Sequence, residues 1–299
     1  MTALTDMFTG LTRKFLAKWG NSALIPKQRL PLPVPVVKQL LDTPSGTKVG
    51  NWVVDRSSRK WLSVAALMAV QSNTGMRKSE VTLPQWEEAW HPGLLNWGAV
   101  TWIVGGVHKH HLTPQELQNL TQADFVVLKP PPSKADPFLQ VWGAKPIYIA
   151  YSPQKGLNMA YWLAQLEYWF PVKPEQRSSS PVFVDDGGKC LRAEWWSRCL
   201  QNLLRTVMSA ADAKKYSTHS FRIMLACGAW ANNQSAATIQ ALCRWRSLDS
   251  LRIYVKMDPA HYSTLVSSAL AQNIDPSHTH YLPTLDPARL VAQLDEFPR

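Results

Sequence analysis

The sequence predicts a mainly helical domain that carries a small antiparallel β-sheet, an α+β fold. Apolar residues recur at helical spacing in several long segments, and two β-branched runs flank a proline-rich connection. The 299 residues are 45% hydrophobic and include 14 tryptophans, enough apolar material for the core of one large domain or two modest ones.

The first thirty residues differ from the rest of the chain. They contain one short basic amphipathic pattern, followed by prolines from Pro26 to Pro35 that predict an extended linker. The basic helix is a candidate DNA-contacting arm, and its pattern fits equally a helix packed on the main body with solvated lysines. We therefore divide the chain into an arm and linker at 1–30, a main domain at 31–265 and a tail at 266–299.

The main domain opens with a short predicted helix, Val36–Leu41, and a compact apolar helix, Trp61–Val70. The second helix stops in the sequence NTGMRKSEV, where Gly75 permits the positive φ of a helix end. Arg77 follows this tight turn and is therefore rigidly placed, although the same position suits a surface cation. Glu80 either orients that guanidinium through a charge-assisted hydrogen bond or is solvated.

Residues 84–123 predict a loop between short elements. The clustered histidines His108, His110 and His111 do not share a face in regular structure, and no carboxylate or cysteine is suitably spaced, so we expect no metal site. A helix is predicted to begin near the end of this stretch, with Thr113 as its N-cap.

The strand signals come next along the chain. DFVVLK at 124–129 and KPIYIAY at 145–151 predict two antiparallel strands. Lys134 lies near the turn between them, where it is either an ammonium that reaches a phosphate or an edge-strand lysine. Further helices are predicted at 157–170, 192–207, 259–271 and 287–294, and a strand and turn at 181–191.

Charge and cysteine usage limit the class of protein. The net charge is +11 and the pI about 9.6, and the positive charge concentrates in residues 1–60 and 214–256, which favours a polyanionic partner. The four cysteines are widely spaced, which is typical of reduced thiols inside a cell. No apolar run approaches a membrane span. We expect an intracellular protein, nuclear if the host is eukaryotic.

The stretch Tyr216–Lys256 contains the densest set of chemically active side chains. His219 and Arg222 are three residues apart and share a helical face, and Trp245 and then Tyr254 follow. Cations, hydrogen-bond donors and a phenol in this order indicate phosphate chemistry. Each residue also has a purely structural interpretation, His219 at a helix N-terminus and the two aromatics in a core.

Four segments in order resemble the boxes of the tyrosine recombinase, or phage-integrase-like, family. NTGMRKSEV resembles the first box, in which an arginine follows a Thr-Gly turn, and HSFR matches the His-x-x-Arg of the second. RWRSLDSLRIY resembles the box that leads to the nucleophilic tyrosine. SKADPF resembles the lysine-bearing hairpin of eukaryotic transposon, retroelement and viral members. The resemblance covers about residues 30–265.

The resemblance implies a catalytic domain that breaks and rejoins DNA through a 3′-phosphotyrosyl intermediate, in recombination or in integration of a mobile element. It implies double-stranded DNA as partner, a homotetramer assembled on that DNA with the C-terminal tail docked on a neighbouring protomer, and neither a metal nor a small-molecule cofactor. The implied catalytic residues are Arg77, Lys134, His219, Arg222, Trp245 and the nucleophile Tyr254, with Glu80 in support. Basic residues near the motifs predict further contacts to the DNA backbone: Lys78, Lys214, Lys215, Arg244, Arg246 and Arg252.

The chain departs from the family pattern in two places. Cys243 occupies a position that is usually glycine, and we expect this change to shift the turn that presents Trp245. Family members also carry a helical DNA-clamping domain, for which residues 1–30 are too few, so that a partner or a longer form would have to supply it. Two alternatives stay open, a domesticated or truncated DNA-binding protein without turnover and a topoisomerase-like DNA relaxase.

Overall fold

The computed structural model describes residues 29–133, 136–139, 145–154, 156–232 and 234–245. It confirms the predicted fold class, mainly helical with small antiparallel sheets. The helices are α1 Val34–Leu41, α2 Arg59–Thr74, α3 Lys78–Val81, α4 Pro114–Gln118, α5 Met159–Trp169, α6 Ala193–Leu204, α7 Ala210–Ala213, α8 Ser220–Ala231 and α9 Ala236–Leu242. The strands are β1 Lys48–Val49, β2 Trp52–Val53, β3 Val100–Val104, β4 Val107–Lys109, β5 Phe125–Leu128 and β6 Ile147–Ala150, and 3₁₀ turns cover Trp97–Ala99 and Pro174–Ser179.

Helix α2 is the centre of the core. The Ser58 hydroxyl caps its first turn by accepting from the Trp61 N–H, and most of the helix is buried on all sides. Its small residues, among them Ala65 and Ala69, let α5 and α8 pack closely on it. Because α2 is packed on all sides, its C-terminal end is fixed, and so is the position of the turn that follows it.

The four-stranded sheet has the order β4-β3-β5-β6, and every neighbouring pair is antiparallel. The predicted pairing of the two segments around Lys134 is confirmed in β5 and β6. The predicted loop at 84–123 is wrong in part, because it contains β3 and β4. Gly105 and Gly106 both have positive φ and form a two-residue hairpin turn between these strands, a conformation that two glycines adopt without steric cost.

Of the segment Pro26–Pro35, predicted to be an extended linker, Pro33 is extended, whereas Val34 and Pro35 begin helix α1. Leu30 and Leu32 are buried in the core, and their N–H groups donate to the carbonyls of Lys215 and Ser220. The segment thereby packs against the start of α8. The predicted basic helix of the arm and the two helices predicted after residue 258 lie outside the described residues.

A buried ion pair joins the sheet to α5. The Glu167 carboxylate accepts from the Trp102 indole N–H at 3.0 Å and from Arg177 Nη1. Arg177 Nη2 donates to the Val100 carbonyl at 2.9 Å, and the guanidinium lies 5.3 Å from the Trp97 ring centre. Both charges are thus compensated away from water. Within the described ranges, no helix combines the length and apolar character that crossing a membrane requires.

Candidate active site

A tight turn at the end of α2 begins the site. Gly75 has φ 60°, and a Cβ there would lie 3.2 Å from a methyl of Leu225 on α8, so both the backbone conformation and the close packing favour glycine. The buried Gln71 amide donates to the Met76 carbonyl at 3.0 Å and accepts from the Trp196 indole N–H at 2.7 Å. The buried Gln71 amide therefore holds the backbone of Met76, the residue just before Arg77.

Arg77 is the N-cap residue of the short helix α3. Its N–H donates to Glu80 Oε2 at 3.0 Å and its Nη1 donates to Glu80 Oε1 at 2.9 Å. The carboxylate is buried, 4% exposed, whereas the guanidinium side chain is 30% exposed. Of the two alternatives for Glu80, the structure has the charge-assisted hydrogen bond that orients the guanidinium.

Helix α8 brings the second arginine to the same turn. Arg222 lies in the first turn of the helix, is 3% exposed, and donates from Nη1 to the Gly75 carbonyl at 2.7 Å. Its guanidinium carbon lies 5.5 Å from the centre of the Trp245 ring, a cation–π contact. Arg77 and Arg222 therefore project from the two sides of one glycine turn.

His219 is the N-cap residue of α8 and lies beside both arginines. Burial, and then the positive charges of Arg222 and Arg77, lower the pKa of His219 to about 4. At neutral pH the imidazole is consequently uncharged, and one of its ring nitrogens can accept a proton.

Trp245 is buried with Ala226, Ile239 and Cys243 in a small cluster between α8 and α9. The expected shift of the turn before Trp245 is not visible in the backbone of Cys243 itself. Cys243 has ordinary right-handed dihedrals, φ −84° and ψ −3°, and caps α9 without needing glycine. The residue with positive φ is its neighbour Arg244, at 53°.

Arg244 lies inside the site, not on the surface. It is 8% exposed, with Nη1 4.0 Å from Glu80 Oε2 and Nη2 donating at 3.5 Å to the Pro131 carbonyl. Burial lowers the pKa of Arg244, Glu80 raises it, and Arg77 and Asp136 have smaller opposing effects. The sequence pattern marked this residue only as one of several basic residues near the motifs.

The connection between β5 and β6 approaches the site through the contact of Arg244 with Pro131. Ser133 and Asp136 are buried and pair through their backbones at 3.2 and 3.0 Å. They flank Lys134 in the sequence. Lys134 itself lies outside the described residues, as do Tyr254, Arg246 and Arg252.

The other predicted DNA contacts lie away from this cluster. Lys78 Nζ donates to Ser197 Oγ on α6 at 3.0 Å. Lys214 is exposed, and Lys215, also exposed, pairs with Asp212 at 2.8 Å. The structure therefore brings together six side chains: Arg77, Glu80, His219, Arg222, Arg244 and Trp245. Gln71 is the site residue that no sequence pattern singled out, since a polar residue inside an apolar helix has no distinctive spacing.

The clustered histidines lie on and just after β4. His108 lies on β4, and its ring centre is 5.4 Å from that of His110. In the part of the chain that the structure describes, no three histidine, cysteine, aspartate or glutamate side chains are grouped as metal ligands.

Comparisons with known proteins add a similarity to solved structures. No protein-family model matches the chain, and no curated protein matches it. Among solved structures, the chain is similar to XerH, a site-specific recombinase bound to a palindromic difH substrate in a post-cleavage complex. The TM-score is 0.42 and the identity 13%, over 80% of this chain and 53% of that one. Neither value is high enough to establish a shared fold or activity.

Proposed function

We propose that this chain breaks and rejoins double-stranded DNA through a covalent phosphotyrosyl link at Tyr254. One observation is the main support. Arg77 and Arg222 are held on the two sides of the Gly75 turn, beside an uncharged His219. Two fixed guanidiniums and a proton acceptor are what the cleavage of a phosphodiester by a phenol requires.

The guanidiniums would bind the nonbridging oxygens of the scissile phosphate. Negative charge concentrates on these oxygens in the pentacoordinate transition state, and the planar fork of arginine suits two oxygens at once. Arg77 is the more exposed of the pair and would meet the phosphate from the solvent side, with Arg222 beneath it. Because both are fixed before DNA binds, little reorganisation accompanies the chemical step.

Proton transfer would follow from the charge states of the neighbours. The Tyr254 oxygen attacks phosphorus and its proton passes to neutral His219, while the bond from phosphorus to the 5′-oxygen breaks. Lys134 donates a proton to that leaving oxygen, so that a 3′-phosphotyrosyl link and a free 5′-hydroxyl result. The reverse attack by a 5′-hydroxyl rejoins the strand, and the phosphodiester bond energy is conserved in the covalent link.

Trp245 has a supporting role in this proposal. Its ring contacts the Arg222 guanidinium on one side and the apolar cluster on the other. Removing the ring would take this face contact away from the buried guanidinium, while its hydrogen bond to the Gly75 carbonyl would remain. The indole N–H is a candidate donor to a nonbridging oxygen.

The biological setting is part of the proposal. The basic charge of the chain favours DNA as partner, and the motif style favours recombination or integration of a mobile element. The protein would act as a homotetramer on DNA, in the nucleus where the host is eukaryotic.

A suicide substrate tests the function directly. A pool of nicked duplexes with randomised sequence around the nick loses its short 5′ fragment on cleavage, which traps a covalent adduct that survives denaturing electrophoresis. We expect an adduct from the wild-type chain and none from Tyr254→Phe. Salt-sensitive DNA binding without any adduct would reject cleavage and leave the non-catalytic DNA-binding protein.

A further inference from the structure

Arg244 is a buried cation with weak bonds. Its Nη2 donates to the Pro131 carbonyl at the long distance of 3.5 Å, and its Nη1 is 4.0 Å from Glu80 Oε2, beyond hydrogen-bond length. Its Nε is buried and has no hydrogen-bond partner in the part of the chain described here. A guanidinium that is removed from water normally satisfies its donors, and among the described residues Arg244 meets only distant acceptors.

The backbone of Arg244 is also unusual. Among the described residues, only Leu139 and Arg244 combine a side chain with a positive φ. Glycine would adopt this conformation with less strain. A side chain kept at such a position, and buried next to other charged groups, indicates a role for that side chain.

The charges of the surrounding cluster do not cancel. Arg77, Arg222 and Arg244 carry three positive charges, and Glu80 and Asp136 carry two negative ones. His219 is uncharged at neutral pH. The described residues of the cluster therefore have one positive charge in excess, which equals the single negative charge of one phosphodiester.

We propose that Arg244 is a third guanidinium of the phosphate site and binds a nonbridging oxygen of the scissile phosphate together with Arg77. This inference rests on the proposed function. Glu80 would hold the two guanidiniums apart and correctly turned before DNA binds, since Oε1 accepts from the Arg77 guanidinium and Oε2, which accepts from the Arg77 N–H, lies 4.0 Å from Arg244 Nη1. A phosphate oxygen at a charge-assisted distance of about 2.8 Å would then be a closer partner for Arg244 than the carboxylate is.

Arg244→Gly is the informative variant. It removes the guanidinium and suits the positive φ, so the fold is expected to be retained. We expect cleavage of a suicide substrate that the wild-type chain cuts to fall by about 10²-fold, with Arg244→Lys between the two, because loss of one oxyanion donor has an effect of this size. Arg205→Ala, which removes the same charge from the exposed end of α6, should cleave like the wild type.

A substrate with an uncharged phosphate analogue distinguishes an Arg244 that binds the phosphate from an Arg244 that only maintains the structure of the site. In a substrate with a methylphosphonate at the scissile position, one nonbridging oxygen and the negative charge are absent. If Arg244 neutralises that charge, the defect of Arg244→Gly should shrink at least tenfold on this substrate. An equal defect on both substrates would overturn the proposal and make Arg244 a structural residue.

The two proposals fail in different ways. A wild-type chain that forms no adduct with any duplex contradicts the proposed function. A wild-type chain that forms the adduct, with Arg244→Gly equally fast, contradicts only the role of Arg244.

Discussion

Two buried carboxylates each face arginine in this protein, and their surroundings differ. Glu167 meets Arg177 and the Trp102 indole, and Arg177 uses its other terminal nitrogen on the Val100 carbonyl. Glu80 also binds an arginine closely, Arg77, but that guanidinium is part exposed. The first arrangement joins a sheet to a helix, and the second holds a cation towards solvent.

The second arginine near Glu80 extends the contrast. Arg244 is 8% exposed and Arg177 4%, and the Nε of each has no partner among the described residues. Their terminal nitrogens differ. Those of Arg177 donate to Glu167 and, at 2.9 Å, to the Val100 carbonyl, whereas those of Arg244 lie 4.0 Å from Glu80 and 3.5 Å from the Pro131 carbonyl. The close contacts of Arg177 fit a structural pair, and the longer ones of Arg244 fit the anion site proposed above.

The largest expected effect concerns the structural pair. Arg177→Ala leaves the Glu167 carboxylate buried without its counter-charge, so we expect a loss of about 3–5 kcal/mol in the free energy of unfolding. Urea unfolding measures it. The double variant Arg177→Met with Glu167→Gln should recover most of the loss, because it removes both charges and keeps an acceptor for the Trp102 indole. An Arg177→Ala chain as stable as the wild type would mean that the two pairs do not differ as argued.

Arg77→Ala should have the opposite effects to Arg177→Ala, a large loss of cleavage rate and little change in the free energy of unfolding. The guanidinium is part exposed and its removal leaves Glu80 with the Arg77 backbone N–H and Arg244, so we expect little change in unfolding. Cleavage of the suicide substrate should fall by about 10²–10³-fold, the usual effect of losing one oxyanion donor. Arg177→Ala, assayed per folded molecule, should cleave at the wild-type rate. Equal loss of stability in both variants would remove the distinction between the two pairs.

The parts of the site that the sequence predicts are local ones. The helix before Arg77 has a clear apolar pattern and ends at Gly75, so that the turn and the arginine after it follow from neighbouring residues. His219 and Arg222 share one helical turn, which their spacing alone predicts. These features need no knowledge of what packs against them.

The parts that sequence reasoning missed depend on distant contacts. Arg244 is buried beside Glu80 and Pro131, which lie far away in the sequence, and its positive φ has no signal at a non-glycine residue. Gln71 positions the turn only because Trp196, far along the chain, lies beside it. The hairpin of β3 and β4 is a different case, since Gly105 and Gly106 between β-branched residues were a readable turn signal.

The smallest expected effect concerns pH. We expect the protonation of His219 to leave the cleavage rate unchanged near neutral pH. Because the folded pKa of His219 is about 4, the imidazole stays an uncharged base from pH 5 to 8, and the rate of adduct formation should show no histidine limb near pH 6.5. The unfolded chain binds its proton first as pH falls below 6.5, so this histidine lowers stability progressively between pH 6.5 and about 4, and the loss stays constant below that. Single-turnover cleavage measured against pH checks whether the cleavage rate has a limb near pH 6.5. A limb near 6.5 that is lost in His219→Gln would show that the arginines beside it do not set its charge, and would weaken the contrast between the candidate site and the structural pair.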